Sequence, residues 1–135
     1  MAPLLWSSTE IRQRRGLTCR SAAWPVGTRD PRVLAAIRAV PRHAFVPGAS
    51  LADAYNPDLA VITKRNPAGA ALSCASVPYL VAAMLDQLDV HDGHRVFEAG
   101  AGTGWNAALL ATIAGPGGHV STIDIFSVKS SVLNF

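Results

Sequence analysis
Seven consecutive residues, Glu98-Ala99-Gly100-Ala101-Gly102-Thr103-Gly104, constrain the fold of this chain more than any others. Glycine at alternate positions allows positive φ and lets a ligand lie against bare backbone. Just before them, Arg95-Val96-Phe97-Glu98-Ala99 reads as a short strand buried in a parallel sheet. Just after them, Trp105 to Ala114 reads as a helix rich in alanine and leucine, whose free N-terminal N–H groups favour electron-rich atoms. Gly115-Pro116-Gly117-Gly118 stops that helix, and His119 to Ile125 reads as a second, β-branched strand. Strand, helix, strand is a βαβ unit, right-handed and parallel by rule, so the fold class is α/β.

The ligand of such a loop follows from its charges. Asp124 lies 20 residues beyond Gly104, at the end of the second strand, where a carboxylate accepts both hydroxyls of an adenosine ribose. A nicotinamide fingerprint needs a third glycine at the end of G-x-G-x-x-G. Counting from Gly100 that place holds Trp105, and counting from Gly102 it holds Ala107, which the permissive form accepts. The second register starts late and leaves Glu98 unexplained. S-adenosylmethionine carries no pyrophosphate and has a cationic sulfonium and ammonium end, so a carboxylate near the loop suits it and opposes a diphosphate. The pattern favours S-adenosylmethionine, with Glu98, Gly100, Gly102, Gly104 and Asp124 as its binding residues. A fragment of an NAD-dependent oxidoreductase is the alternative.

Ahead of this unit, Asp30-Pro31 writes a helix start and Val33, Ile37 and Val40 give it one apolar face. Pro41 ends it. From Val46 to Gly69 the chain reads as loop-rich. Ser76-Val77-Pro78 opens a second helix with Leu80, Val81, Met84, Leu85 and Leu88 as its apolar stripe. His91-Asp92-Gly93 is a turn. The expected organisation is a basic segment over 1–29, a helix and loop-rich substrate-side segment over 30–76, half of a cofactor-binding domain over 77–125, and an atypical tail over 126–135.

Composition excludes several classes. A formal net charge of +3 in 135 residues is too mild to argue for nucleic acid. No apolar run approaches the roughly 20 residues that cross a bilayer, so no membrane role is expected. Cys19 and Cys74 lie far apart, fit no metal-ligand or disulfide pattern, and suit a reducing compartment. Cytoplasm is the default location, although the Arg-rich start faintly resembles a transit peptide. Cys74 reads as a small buried residue.

Two further segments, taken with the glycine loop, carry a family resemblance. Val40-Pro41-Arg42-His43-Ala44-Phe45-Val46-Pro47 resembles the V-P-R-x-x-F-V-P segment of protein-L-isoaspartate (D-aspartate) O-methyltransferases, and Ala54-Tyr55 the tyrosine stretch after it. Ser76-Val77-Pro78-Tyr79-Leu80-Val81-Ala82-Ala83-Met84 is similar to the family's I-S-x-P-Y-x-V-A-x-M helix start. The resemblance runs from about Asp30 to Ile125. It implies a Rossmann-like class I methyltransferase fold, incomplete here, with S-adenosylmethionine as methyl donor and isoaspartyl proteins or peptides as partners. It places Ser76 in the active site, capping its helix and donating a hydrogen bond to the substrate carboxylate. Arg42 and His43 are expected to pack or to lie at the surface. Ala71-Leu72-Ser73-Cys74-Ala75 departs from the family's G-x-T-I, and a subset of relatives methylates acidic side chains of ribosomally made peptides, so both acceptor kinds stay open.

The implied reaction is in-line attack of a carboxylate oxygen on a sulfonium methyl. A carboxyl group with a pKa near ~4 is ionised at neutral pH and needs no general base. Alignment of the two reactants is what the protein must supply, on the order of 7–11 kcal/mol of barrier. After Ile125 the helix and strands that complete such a fold are not written in the sequence. A truncated or frameshifted reading frame accounts for both atypical ends, and a short protein pairing with another chain accounts for the missing strands. The expected form is a methyltransferase-family chain that is weak or inactive alone. A non-catalytic module and a translated remnant are the remaining alternatives.

Overall fold
The computed structural model describes residues 28–125. The basic segment before Thr28 and the tail after Ile125 lie outside them. In chain order the elements are α1 (Pro31–Ala39), a 3-10 turn (Arg42–Phe45), α2 (Leu51–Ala54), β1 (Val61–Arg65), β2 (Ala71–Ala75), α3 (Pro78–Leu88), β3 (Arg95–Ala99), α4 (Trp105–Ala114) and β4 (His119–Ile123).

Helix α1 begins where its sequence says it should. The Asp30 carboxylate accepts from the Arg32 backbone N–H, Pro31 follows, and Val40 turns extended ahead of Pro41. Strands β3 and β4 pair in parallel, with Glu98 opposite Thr122 and Ala99 opposite Ile123. Helix α4 connects them and is buried along nearly its whole surface, from Trp105 through Leu109 and Leu110 to Ile113. It packs against α1 on one side and the sheet on the other. Val33, Ile37, Val81, Leu85, Val90 and Leu109 join in one core, onto which Val96 and Val120 pack from the strands.

Several expectations are corrected. The stretch from Val46 to Gly69 is not loop throughout: it contains α2 and β1, and β1 pairs antiparallel with β2. Asn66 closes that hairpin by accepting from the Ala70 backbone N–H through its side chain, while Gly69 takes φ 84°. The five-residue stripe of α3 is split. Val81 and Leu85 are buried, whereas Leu80, Met84 and Leu88 are exposed, because α1 covers only one side of the helix. Strand β3 is not buried on both faces: Val96 and Glu98 point towards α4, and Phe97 stays 65% exposed on the opposite side. Cys74 is exposed, because the outer face of a two-stranded hairpin has no cover among the described residues.

A charged knot joins the first helix to the end of α3. Arg32 donates to the Asp30 carboxylate, to Asp89 Oδ1 at 2.7 Å and to the Val90 carbonyl at 2.8 Å. Asp89 itself is left-handed, at φ 50°, where it ends α3. Hydrogen bonding to Arg32 holds both carboxyls below their usual range. A lowered folded-state pKa contributes stability above the unfolded value of 3.8, and that contribution disappears as pH falls through the folded value. The melting temperature of the chain should therefore drop more steeply below about pH 4 than that of an Arg32→Met variant. Parallel pH profiles for the two would contradict the ionic role of the knot.

Candidate cofactor site
The glycine loop is an extension of the β3–β4 ladder. Just beyond β3, the N–H groups of Gly100 and Ala101 both donate to the carbonyl of Ile123, at 2.8 and 3.1 Å. This pair of hydrogen bonds to the last residue of β4 bends the chain away from the strand. Gly100, Gly102 and Gly104 then take φ of 89°, 56° and 83°, a left-handed run that L side chains resist. Gly104 caps α4 without any side-chain hydrogen bond, so the helix starts on backbone alone.

Holding Ile123 also places the next residue. The Asp124 carboxylate accepts from the Gly102 N–H at 2.7 Å, which sets an acid beside the crest of the loop. Gly100 and Gly102 are exposed, and a Cβ built on either would meet no atom within 4 Å. The loop therefore presents open, side-chain-free backbone next to a carboxylate. That surface could hold an adenosine ribose, whose hydroxyls a carboxylate accepts.

Glu98 has another setting. Its register opposite Thr122 puts the two side chains on one face of the sheet. Thr122 Oγ1 donates to Glu98 Oε2 at 2.5 Å and Asn106 Nδ2 donates to Oε1 at 2.7 Å. The carboxylate thus joins β3, β4 and the first turn of α4 beneath the loop. Thr122 and Asn106 were not singled out in the sequence, although the β3–β4 register would have revealed the first.

Ser76 comes from a separate segment. It is exposed, and it does not cap α3: Pro78 starts the helix, Val77 is the N-cap and no side chain caps it. The proline sets the helical start one residue later than a serine cap requires. The Ser76 carbonyl is instead held by Arg42 Nη2 at 2.8 Å. Arg42 is only 1% exposed, and its guanidinium lies 4.5 Å from the ring centroid of Trp105, the first residue of α4. Burial pushes its pKa down to about 10, partly opposed by Tyr55 and Cys74, so it stays charged at neutral pH. His43 Nδ1 meets Tyr55 Oη at 2.8 Å beside it. Sequence reading left Arg42 without a role. The available signals were its place between two prolines and a large aromatic in the position of the absent third glycine.

No group of three or more metal-ligating side chains occurs among the described residues, nor any helix long and apolar enough to cross a membrane. The Glu98 bridge makes a direct prediction. Thr122→Val keeps the shape but removes the donor, and should lower unfolding free energy by about 1–3 kcal/mol in denaturant titrations. A loss under ~0.5 kcal/mol would show that the bridge adds little beyond packing.

Comparison with known proteins gives the family. A family model described as protein-L-isoaspartate(D-aspartate) O-methyltransferase matches residues 25–131. Protein-L-isoaspartate O-methyltransferase 1 of Rhodopseudomonas palustris (strain HaA2) is 47% identical over 98 residues, 73% of this chain and 36% of that protein. Protein-L-isoaspartate O-methyltransferase of Methanosarcina mazei is 37% identical over 95 residues, 70% of this chain and 36% of that protein. A solved protein-L-isoaspartate O-methyltransferase superposes with a TM-score of 0.61 at 27% identity, over 70% of this chain and 29% of its own. The chain spans about a third of the length of the curated relatives it matches. The match takes in the helices, the hairpin and the whole strand–loop–helix–strand unit, and on that span the chain belongs to the protein-L-isoaspartate (D-aspartate) O-methyltransferase family.

Proposed function
We propose that this chain carries, over residues 77–125, the first half of the S-adenosylmethionine-binding domain of a carboxyl O-methyltransferase acting on isoaspartyl or other acidic side chains of proteins or peptides. The observation that carries the reading is the meeting of Asp124 with Gly102 at 2.7 Å, in a loop where Gly100 and Gly102 leave bare backbone exposed. Asp124 would accept the ribose hydroxyls, and Gly100, Gly102 and Gly104 would let the ligand approach the main chain. Glu98 would serve from below, by fixing the loop between β3, β4 and α4 and by adding negative charge near a cationic ligand. Bound S-adenosylmethionine would supply an electrophilic methyl group.

On the acceptor side, the exposed Ser76 would donate a hydrogen bond to the substrate carboxylate. An ionised carboxylate needs no base to activate it, which accords with a site built from backbone, one hydroxyl and binding carboxylates. Orientation of the two reactants is then the main contribution the residues make. The acceptor is a protein or peptide, with no part for nucleic acid or membrane, and the setting is the cytoplasm. The family kinship and the acidic surroundings of the loop both weigh against a nicotinamide cofactor.

Titration calorimetry with S-adenosylmethionine and, separately, with NAD tests the reading. The account expects association with the first alone, weakened at least tenfold by Asp124→Ala. Equal affinity of the parent and Asp124→Ala chains would remove Asp124 from the site, and preference for NAD would replace the methyl donor with a dinucleotide. Methyl transfer to an isoaspartyl peptide, reduced in Ser76→Ala at unchanged cofactor affinity, would place Ser76 on the acceptor side; equal rates would remove it.

A further inference from the structure
Arg42 has the burial of a core residue and the chemistry of a surface one. At 1% exposure it is the one buried charged side chain among the described residues. No carboxylate forms an ion pair with it there, and its Nε has no hydrogen-bond partner. Taking a cation out of water in this way is costly, and an apolar side chain of similar volume often packs at least as well. The contacts it does make are directional. Nη2 donates to the carbonyls of Ser76 at 2.8 Å and, more weakly, of Ala75 at 3.4 Å, while the guanidinium plane rests on Trp105. Trp105 is itself fixed: it follows Gly104, is 3% exposed, and points its indole N–H at the Val40 carbonyl, 3.4 Å away.

From this arrangement we infer that Arg42 is a positioning residue, tying the Ser76 strap to the first residue of α4 so that the acceptor-side hydroxyl and the glycine loop share one frame. The inference rests on the proposed function for the meaning of the two sides, but its geometry does not. Three segments meet at one guanidinium: the turn between Pro41 and Pro47, the strap from Ala75 to Val77, and the helix that the glycine loop opens. Carbonyl direction fixes the peptide plane on which the Ser76 side chain stands. A planar fork that also stacks on an aromatic ring suits this task, and a lysine ammonium reproduces the charge but not the plane.

Hydrogen exchange on the whole chain, compared with Arg42→Met and Arg42→Lys, reads the tie without requiring turnover. The N–H groups of Leu80 and Val81 donate to the Val77 carbonyl at the end of the strap, whereas Leu109 and Leu110 lie in the core of α4. Expected is at least tenfold faster exchange at Leu80 and Val81 in Arg42→Met, a smaller change in Arg42→Lys, and little change at Leu109 and Leu110. Uniform acceleration throughout the chain, or none, would overturn the positioning role. Should Arg42→Met fail to fold, the same local-against-uniform comparison in Arg42→Lys decides. In peptide methylation assays, kcat/KM for the acceptor should fall at least tenfold in Arg42→Met and partly recover in Arg42→Lys, with S-adenosylmethionine affinity within twofold of the parent. Loss of cofactor affinity in step with kcat/KM would also overturn it. In a parent chain without turnover the exchange pattern alone decides Arg42, and calorimetry with S-adenosylmethionine decides the proposed function.

Discussion

The carbonyl of Ile123 is the point on which the cofactor-side architecture turns. By accepting from both Gly100 and Ala101 it carries the parallel ladder one step past the strands and into the loop. Without that anchor the three left-handed glycines would be a flexible linker, and Gly104 would not deliver the chain into α4. The same anchor decides where Asp124 stands, since a residue that follows a pinned carbonyl has little freedom left. One backbone acceptor thus converts a strand register into an open glycine surface beside a carboxylate. Register supplies the support beneath as well: Glu98 reaches Thr122 because the two stand opposite each other in the ladder.

The proposed acceptor side hangs on a different kind of contact. Ser76 lies in an extended strap between the hairpin and α3, and nothing in the local backbone fixes it to the glycine loop. The bridge runs through Arg42 and Trp105, a buried cation against an indole. Hydrophobic packing of α1, α3 and α4 brings these groups near one another, but it has no preferred direction. Hydrogen bonds to carbonyls have one, and they give a packed core its directional precision.

The sequence made the βαβ unit legible because each of its parts is local. Gly104 and Gly115 bracket α4, and the β-branched run after Gly118 is a strand; outside the unit, Asp30-Pro31 and Pro41 bracket α1 in the same local way. The glycine spacing and Asp124 were singled out on ligand chemistry, and the structure brings Asp124 to the Gly102 N–H. What stayed hidden depended on contacts distant in sequence. The β1–β2 hairpin is short and mostly exposed, so its residues lack the alternation that marks a half-buried strand. Leu80, Met84 and Leu88 look like core by spacing, yet α1 reaches only the other side of their helix. Arg42 was unreadable because its partners, Ser76 and Trp105, lie 34 and 63 positions away. The serine cap failed for a local reason, the proline two residues on.

Everything said of the cofactor depends on where it sits. Backbone amide spectra of the isotope-labelled chain, recorded during addition of S-adenosylmethionine, locate it most directly. The account predicts that the resonances of Gly100, Gly102, Gly104 and Asp124 move together and saturate, with Gly102 among the largest shifts because its N–H is shared with the Asp124 carboxylate. Shifts confined to other parts of the chain, or a spectrum unaltered at millimolar ligand, would contradict it.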